Sequence, residues 1–248
     1  MKLGRILAVI GGVAALSGHA GAAEIQVLCS NGLKAVMQEL APQFERASEH
    51  KLVVKYGLAA ALKQQIEAGE PFDLAILTPP MMDDVIKQGR VAAETRTVIA
   101  RAGIGVAIRA GAARPDIGNA DAFKRVLLDA KSISYAKAGA SGVYFAGLVQ
   151  RLGIADAITA KARVKTTGDE VGEAVAHGDA ELGVLPISEI LPVHGIEVLG
   201  PFPAELQSYV VMTAGLEANA SKAAADLLKF LKAPGALPVI AAKGMEPG

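Results

Sequence analysis

Four short segments rich in small residues could bind an anion through backbone N–H groups. In each segment, an apolar run typical of a strand leads directly into the apolar spacing of a helix. The first N–H groups of a helix have no intrahelical acceptor and lie at the positive end of the helix dipole, which favours anions. An ordinary helix start has the same sequence, and Ser30 by itself is most simply a cap. The segments are Ser30-Asn31-Gly32, Gly57-Leu58-Ala59, Ala138-Gly139-Ala140-Ser141-Gly142 and Thr167-Gly168-Asp169.

Ionisable side chains near these segments are few. Lys137 follows a predicted strand and would bring positive charge to the mouth of a site, although a solvated loop lysine has the same sequence context. Tyr56 and Tyr135 stand at strand ends, where a tyrosine commonly packs with its hydroxyl in water. Cys29 lies in an apolar strand and is predicted to be a small buried hydrophobic residue. Acid–base chemistry by a lysine or tyrosine such as Lys137, Tyr56 or Tyr135 stays open.

The sequence lacks the signatures of metal- and cofactor-dependent enzymes. His50, His177 and His194 have no metal-ligand spacing, and the chain contains no HExxH, GxSxG, P-loop or GxGxxG motif. The sequence therefore predicts no metal and no cofactor.

The elements that must position these segments alternate between strand and helix. An amphipathic helical pattern follows each strand of a first series and each of the first two strands of a second series. This alternation is typical of an α/β fold with a mainly parallel sheet flanked by helices. The predicted strands are Ile25–Cys29, Lys51–Tyr56 and Phe72–Leu77 in the first series, and Ser132–Ala136, Arg163–Thr167 and Glu181–Leu185 in the second.

Two extended segments separate the two series and predict two lobes joined by hinges. Thr97–Ala110 is long and β-rich, and Ile196–Leu199 with Tyr209–Thr213 has the pattern of a return crossing. The four small-residue segments would then face a shared cleft, where ligands commonly bind in α/β proteins. The predicted division is residues 24–100 and 209–248 for lobe 1 and residues 101–208 for lobe 2, with hinges in Thr97–Ala110 and Leu199–Thr213.

Residues 1–23 are predicted to be a cleavable signal peptide. Lys2 and Arg5 precede an apolar run, and Ala20-Gly21-Ala22-Ala23 has the small residues of a cleavage site. The apolar run is shorter than the roughly 20 residues that span a membrane, so we expect the mature chain to be exported and not inserted. A single cysteine excludes a disulfide framework.

Charge and composition argue against nucleic acid as a partner. The chain has 25 basic and 25 acidic residues, and removal of Lys2 and Arg5 leaves a net charge of −2. It contains no basic run, and its 4% aromatic content without tryptophan argues against a sugar-stacking surface. We expect a compact monomer that binds a small molecule.

The chain resembles the periplasmic molybdate-binding proteins of ABC transporters, within the two-lobed type II periplasmic binding protein fold. The resemblance implies that a small anion is held in the cleft between the lobes and passed to an inner-membrane ABC permease. It rests on Val27–Leu33, Tyr56–Phe72 with Asp73, Ser141–Tyr144, Gly178–Val184 and Phe230–Gly244.

The resemblance also assigns ligand contacts. Ser30 matches the first serine of the family, whereas Leu58 or Ala59 stands at the second serine and Pro186 at a tyrosine that many members have. Each lost donor to an anion costs roughly 1.5–3 kcal/mol. The resemblance therefore leaves a molybdate-like oxyanion and a small organic carboxylate as possible ligands. The implied contacts are Ser30, Asn31, Gly57, Leu58, Ala59, Lys137, Ser141, Gly142, Thr167, Gly168 and Pro186.

An enzymatic alternative comes from the same resemblance. Periplasmic aconitate isomerases are similar to this family, and they interconvert cis- and trans-aconitate by proton transfer without a cofactor. For this activity, the candidate acid and base groups are Lys137, Tyr56, Tyr135 and Ser30.

Overall fold

A computed structural model describes residues 22–248, so nearly all of the predicted signal peptide lies outside the described residues. The strands are β1 (Glu24–Ser30), β2 (Lys51–Gly57), β3 (Leu74–Leu77), β4 (Thr97–Arg109), β5 (Ile133–Ala136), β6 (Ala162–Lys165), β7 (Leu182–Pro186), β8 (Ile196–Pro201), β9 (Tyr209–Leu216) and β10 (Glu246–Pro247). The helices are α1 (Lys34–Ser48), α2 (Ala59–Glu67), α3 (Pro79–Lys87), α4 (Ala120–Asp129), α5 (Ala140–Arg151), α6 (Ala155–Thr159), α7 (Gly168–His177), α8 (Ile187–Ile190), α9 (Lys222–Lys232) and α10 (Leu237–Ala242).

The helix that follows β1 forms because its apolar residues recur on one face. Val36, Met37, Leu40 and Phe44 are all buried in the core, as their spacing predicts. A three-residue 3-10 turn, Asn31–Leu33, precedes α1 and carries the chain away from the end of β1. The first strand-to-helix junction therefore has the predicted form.

The strands form a mixed sheet with the order β2-β1-β3-β9-β4-β7-β5-β6. β1 pairs in parallel with β2 and β3, and β5 pairs in parallel with β6 and β7. The long strands β4 and β9 pair antiparallel to their neighbours. Helices cover the sheet, which confirms the predicted α/β class.

Strand β4 connects the two parallel groups through antiparallel pairs. Its first part, Thr97–Gly103, pairs with β9, and its second part, Ile104–Ile108, pairs with β7. β4 therefore links the group around β1 to the group around β5, and β9 returns to pair with β3. The prediction for Ile196–Leu199 was wrong, because β8 lies beside the second part of β4 and makes no return crossing. The division into lobes at residues 100 and 208 stays a prediction.

The two C-terminal helices α9 and α10 pack against α1. The rings of Phe44 and Phe230 meet edge to face at 5.5 Å, and Lys243 forms an ion pair with Glu39 at 2.7 Å. This packing joins the end of the chain to the elements around β1.

Helices α6 and α8 were not predicted. Each has at most five residues, which is less than two turns, so neither produces a helical apolar period. Among residues 22–248, no helix has both the length and the apolar character needed to cross a bilayer.

Candidate functional site

A cavity of about 430 Å³ lies where several strands end and the following helices begin. This volume is typical of small-molecule sites. Its wall contains residues from the ends of β1, β5 and β7, from the starts of α2, α3, α5 and α7, and from α8 and β9. Most of the lining is apolar. The polar side chains in the lining are Ser30, Asn31, Thr78, Ser141, Glu189 and Tyr209.

Ser30 brings a buried hydroxyl to this cavity. It is the last residue of β1 and is 5% exposed, and its partner in the β2 register is Gly57. Its side chain makes no capping hydrogen bond to the turn that follows. The capping interpretation of Ser30 was therefore wrong. Asn31 also lines the cavity, at the first position of that turn.

Helix α2 begins at the cavity with its backbone N–H groups. The first intrahelical hydrogen bond runs from the N–H of Leu62 to the carbonyl of Leu58, so the preceding N–H groups have no intrahelical acceptor. Leu58 and Ala59 both line the cavity. Neither side chain can donate a hydrogen bond. Gly57 is not among the lining residues.

Helix α5 contributes Ser141, which is 4% exposed and makes no capping hydrogen bond. The N-terminal turn of this helix packs tightly on β5, because a Cβ on Gly142 would lie 1.9 Å from the carbonyl oxygen of Ala136. Gly142 itself is not a lining residue. We conclude that Gly142 permits the close helix–strand contact that brings Ser141 to the cavity.

Helix α7 begins with Gly168 at the cavity wall, and the preceding residue, Thr167, is its N-cap. The hydroxyl of Thr167 accepts a hydrogen bond from the N–H of Glu170 at 3.3 Å, and the Glu170 carboxylate bonds back to the N–H of Thr167. This is a capping box. Thr167 is not among the lining residues, and its hydroxyl oxygen accepts the capping hydrogen bond of α7.

Glu189 is the charged side chain of the lining, and sequence reasoning missed it. Among the residues the structure describes, no lysine or arginine lines this cavity. The Glu189 side chain comes so close to α7 that a Cβ on Gly168 would lie 2.1 Å from its Oε2. Burial, and secondarily the charge of Asp169, raise the pKa of Glu189 from 4.5 to about 7, against the opposing effect of Lys34.

Several contacts hold the elements around Glu189 together. The Ser188 hydroxyl donates a hydrogen bond to the carbonyl of Gly32 at 3.1 Å, which links α8 to the turn before α1. The Lys34 ammonium lies 2.9 Å from a carboxylate oxygen of Asp169 and links α1 to α7. This ion pair explains a lysine in the first turn of α1, where the helix dipole disfavours positive charge.

The other predicted acid and base groups lie away from the cavity lining. Lys137 is exposed, and its backbone N–H donates to the carbonyl of Lys165 at 3.0 Å. Tyr135 packs edge to face on Phe145 at 5.3 Å. Burial, with a smaller effect from Cys29, raises the pKa of Tyr56 to about 12. None of these three residues is a lining residue, whereas Pro186 is.

No metal-ligand cluster occurs between residues 22 and 248, where no three His, Cys, Asp or Glu side chains are grouped to hold an ion. Cys29 is buried, and burial raises the pKa of its thiol far above the usual range. The cavity therefore offers helix-start amides, the two buried serine hydroxyls, one carboxyl group and the polar side chains of Asn31, Thr78 and Tyr209.

The fold and this cavity define a protein that holds a small solute between strand ends. Over residues 25–246, the chain matches the family of bacterial extracellular solute-binding proteins. The chain belongs to this family.

Two curated relatives and one solved structure are similar over most of their length. Aconitate isomerase of Pseudomonas sp. is 31% identical over 231 residues, 90% of this chain and 87% of that protein. Molybdate-binding protein ModA of Azotobacter vinelandii is 28% identical over 255 residues, with 98% and 97% covered. The structure of the Azotobacter vinelandii periplasmic molybdate-binding protein superimposes with a TM-score of 0.77 at 19% identity, with 90% and 99% covered.

Proposed function

We propose that the chain is a periplasmic solute-binding protein that captures a small organic carboxylate in this cavity for an inner-membrane ABC permease. The observation that carries the proposal is that two buried serine hydroxyls lie with the starts of α2, α5 and α7 around one cavity. Neither hydroxyl makes a capping hydrogen bond. Helix-start amides and hydroxyls are suited to carboxylate oxygens. The predicted lobes, residues 24–100 with 209–248 and residues 101–208, would close on the ligand as a monomer.

Two features favour a carboxylate with a carbon skeleton over a bare tetrahedral oxyanion. Leu58, Ala59 and Pro186 line the cavity without a side-chain donor. Their apolar surfaces suit carbon atoms better than the oxygens of a dehydrated dianion. The cavity volume of about 430 Å³ is also in the range of sites that hold drug-sized ligands. Such ligands are much larger than a tetrahedral oxyanion.

Ligand binding can be tested on the purified mature chain by thermal shift and calorimetry. The panel is citrate, cis-aconitate, trans-aconitate, molybdate, tungstate and sulfate. We expect a carboxylate to raise the melting temperature by mass action, with no comparable effect of the oxyanions. Stabilisation by micromolar molybdate would refute the carboxylate assignment, and no effect of any anion would refute anion capture.

A second function, isomerisation of an unsaturated polycarboxylate by proton transfer, is favoured by a specific pair of observations. One is the 31% identity to an aconitate isomerase over 90% of this chain. The other is a carboxyl group with a pKa of about 7 in the cavity wall, which is suited to acid–base work near neutral pH. Proton NMR of either aconitate isomer, incubated with the protein for hours, tests this function directly. If the isomer stays unchanged although it raises the melting temperature, the protein binds the ligand without converting it, and the capture function alone stands.

A further inference from the structure

We propose that Glu189 is the catalytic base of this cavity, and that it moves a proton between two carbons of a bound unsaturated polycarboxylate. The proposal rests on the second function above and deepens it by assigning the group that reacts. In this role Glu189 takes the place of Lys137, Tyr56 and Tyr135, which do not line the cavity.

Glu189 lies on a helix that is tied to the turn before α1, and its carboxylate lies against α7. α8 starts directly after Pro186 and is tied to the turn before α1 by the hydrogen bond from Ser188 to Gly32. Against α7, only a residue without a Cβ leaves room for the carboxylate at position 168. The carboxylate therefore lies among the same helix starts that would hold the carboxylates of a ligand.

The charges around Glu189 leave it without a dedicated partner. The charged groups that face it are Asp169 from α7 and Lys34 from α1, and these two pair with each other at 2.9 Å. Tyr209 from β9 is the other titratable side chain in the cavity wall. Within residues 22–248, the Glu189 carboxylate accepts no hydrogen bond from a protein group. A base that is not engaged in an ion pair is free to accept a proton from a ligand.

The proposed step is an allylic proton shift that balances without a co-reactant. The Glu189 carboxylate removes a proton from a methylene carbon that lies between a carboxylate and the double bond. The C–H electron pair forms a new double bond to the neighbouring carbon. The electron pair of the original double bond then takes the proton back from Glu189 at the carbon of that bond that is farther from the methylene. Negative charge develops on the ligand carboxylate, where the hydroxyls and helix-start amides would stabilise it.

The test compares wild type with Glu189→Gln, which keeps the shape of the side chain but cannot accept the proton. Each protein is incubated with cis-aconitate in D2O, and proton NMR follows both deuterium incorporation and conversion to the trans isomer. General acid–base catalysis contributes typically 10²–10⁴-fold. We therefore expect Glu189→Gln to slow both readouts by about 10³-fold, with a calorimetric Kd for cis-aconitate within a few-fold of the wild-type value.

Two further variants separate chemistry from folding. Glu173→Gln removes an exposed carboxylate from α7 and should leave both rates unchanged. Gly168→Ala keeps Glu189 but displaces its carboxylate, so it should slow both rates while the protein stays folded. For wild type, kcat/KM should rise with pH and level off above about pH 7, because the ionised carboxylate is the active form.

The outcomes distinguish this proposal from the capture function. Exchange and isomerisation that persist in Glu189→Gln would overturn the role of Glu189 and leave the isomerase function intact. Wild type that binds cis-aconitate without exchange or conversion would overturn both the role and the isomerase function, while anion capture would stand. Absence of binding to any anion in the panel would instead overturn the capture function.

Discussion

The two walls of the cavity differ in chemistry. The first wall (Ser30, Leu58, Ala59 and Thr78), from the elements around β1, offers two hydroxyls, amides and apolar surface. The second wall (Ser141, Gly168 and Glu189), from α5, α7 and α8, combines a hydroxyl and amides with an ionisable carboxyl group. The difference indicates that the first wall can orient an anion but cannot exchange protons near neutral pH, whereas the second wall can do both.

The largest effect on stability is expected from filling the space at Gly142, which supports the second wall alone. In Gly142→Ala the new Cβ would overlap the carbonyl oxygen of Ala136, which is backbone and cannot move aside. We expect a loss of about 3 kcal/mol in the free energy of unfolding, measured by urea denaturation. Weakened ligand binding should accompany it, because Ser141 would shift.

Gly147→Ala is the matched control in the same helix. There the nearest atom to the new Cβ is Nη1 of Arg151 at 3.5 Å, an ordinary contact. This variant should gain up to about 1 kcal/mol from helix propensity. If Gly142→Ala were as stable as Gly147→Ala, the tight contact between α5 and β5 would be refuted.

The next effect is a pH dependence that belongs to Glu189. Because the pKa of this carboxyl group is raised in the folded protein, the native state binds its proton more tightly than the unfolded chain does. The free energy of unfolding of wild type, compared with that of Glu189→Gln, should therefore fall as the pH rises from 4.5 to about 7 and then stay constant. At 1.36 kcal/mol per pKa unit the total loss is about 3 kcal/mol.

Denaturation of wild type and Glu189→Gln at pH 4.5, 6 and 8 measures this difference. The sign is the decisive quantity, since a carboxylate held in an ion pair would give the opposite slope. A difference between the two proteins that does not change with pH would contradict a half-buried Glu189 without an ion-pair partner.

Both walls contain positions that could be predicted from sequence, whereas Glu189 in the second wall could not be. Ser30, Ser141 and Gly168 sit at local strand-to-helix junctions, so the change from one apolar period to another reveals them. Glu189 lies on a four-residue helix and reaches the cavity through contacts with residues more than 150 positions earlier in the chain, such as Gly32. Neither feature leaves a periodic signal.

The α/β class could be predicted for a related reason. Alternating apolar runs and helical periods are local, and the structure confirms the elements around β1, β2 and β5 within a few residues. The partner of a lone short strand is not encoded locally. Ile196–Leu199 was therefore predicted to cross between lobes, although β8 pairs with β4.

The two serines provide a comparison of the walls in ligand binding. Neither hydroxyl caps a helix, so Ser30→Ala and Ser141→Ala should leave the free energy of unfolding nearly unchanged. A hydrogen bond to a charged group contributes about 1.5–3 kcal/mol, which corresponds to about 10- to 100-fold in Kd. Calorimetric titration with citrate or cis-aconitate measures the loss.

Thr159→Ala, on the exposed end of α6, controls for the removal of a hydroxyl elsewhere. Equal losses in Ser30→Ala and Ser141→Ala would mean that the ligand is held from both walls. A loss in only one of them would assign the anion to that wall and weaken the proposal that two lobes close on it.

The smallest effect is expected at Thr167, which the family resemblance implies as a ligand contact. In the structure its hydroxyl oxygen accepts a hydrogen bond from the N–H of Glu170. Thr167→Ala removes the capping hydrogen bond to Glu170 and should cost about 1 kcal/mol of stability, whereas Thr167→Ser should restore it. Ligand affinity should be the same in all three proteins, because Thr167 does not line the cavity. Calorimetry on Thr167→Ala and Ser30→Ala side by side decides the point. If both lose affinity equally, the Thr167 hydroxyl leaves its cap to bind the anion, and the second wall holds one more donor.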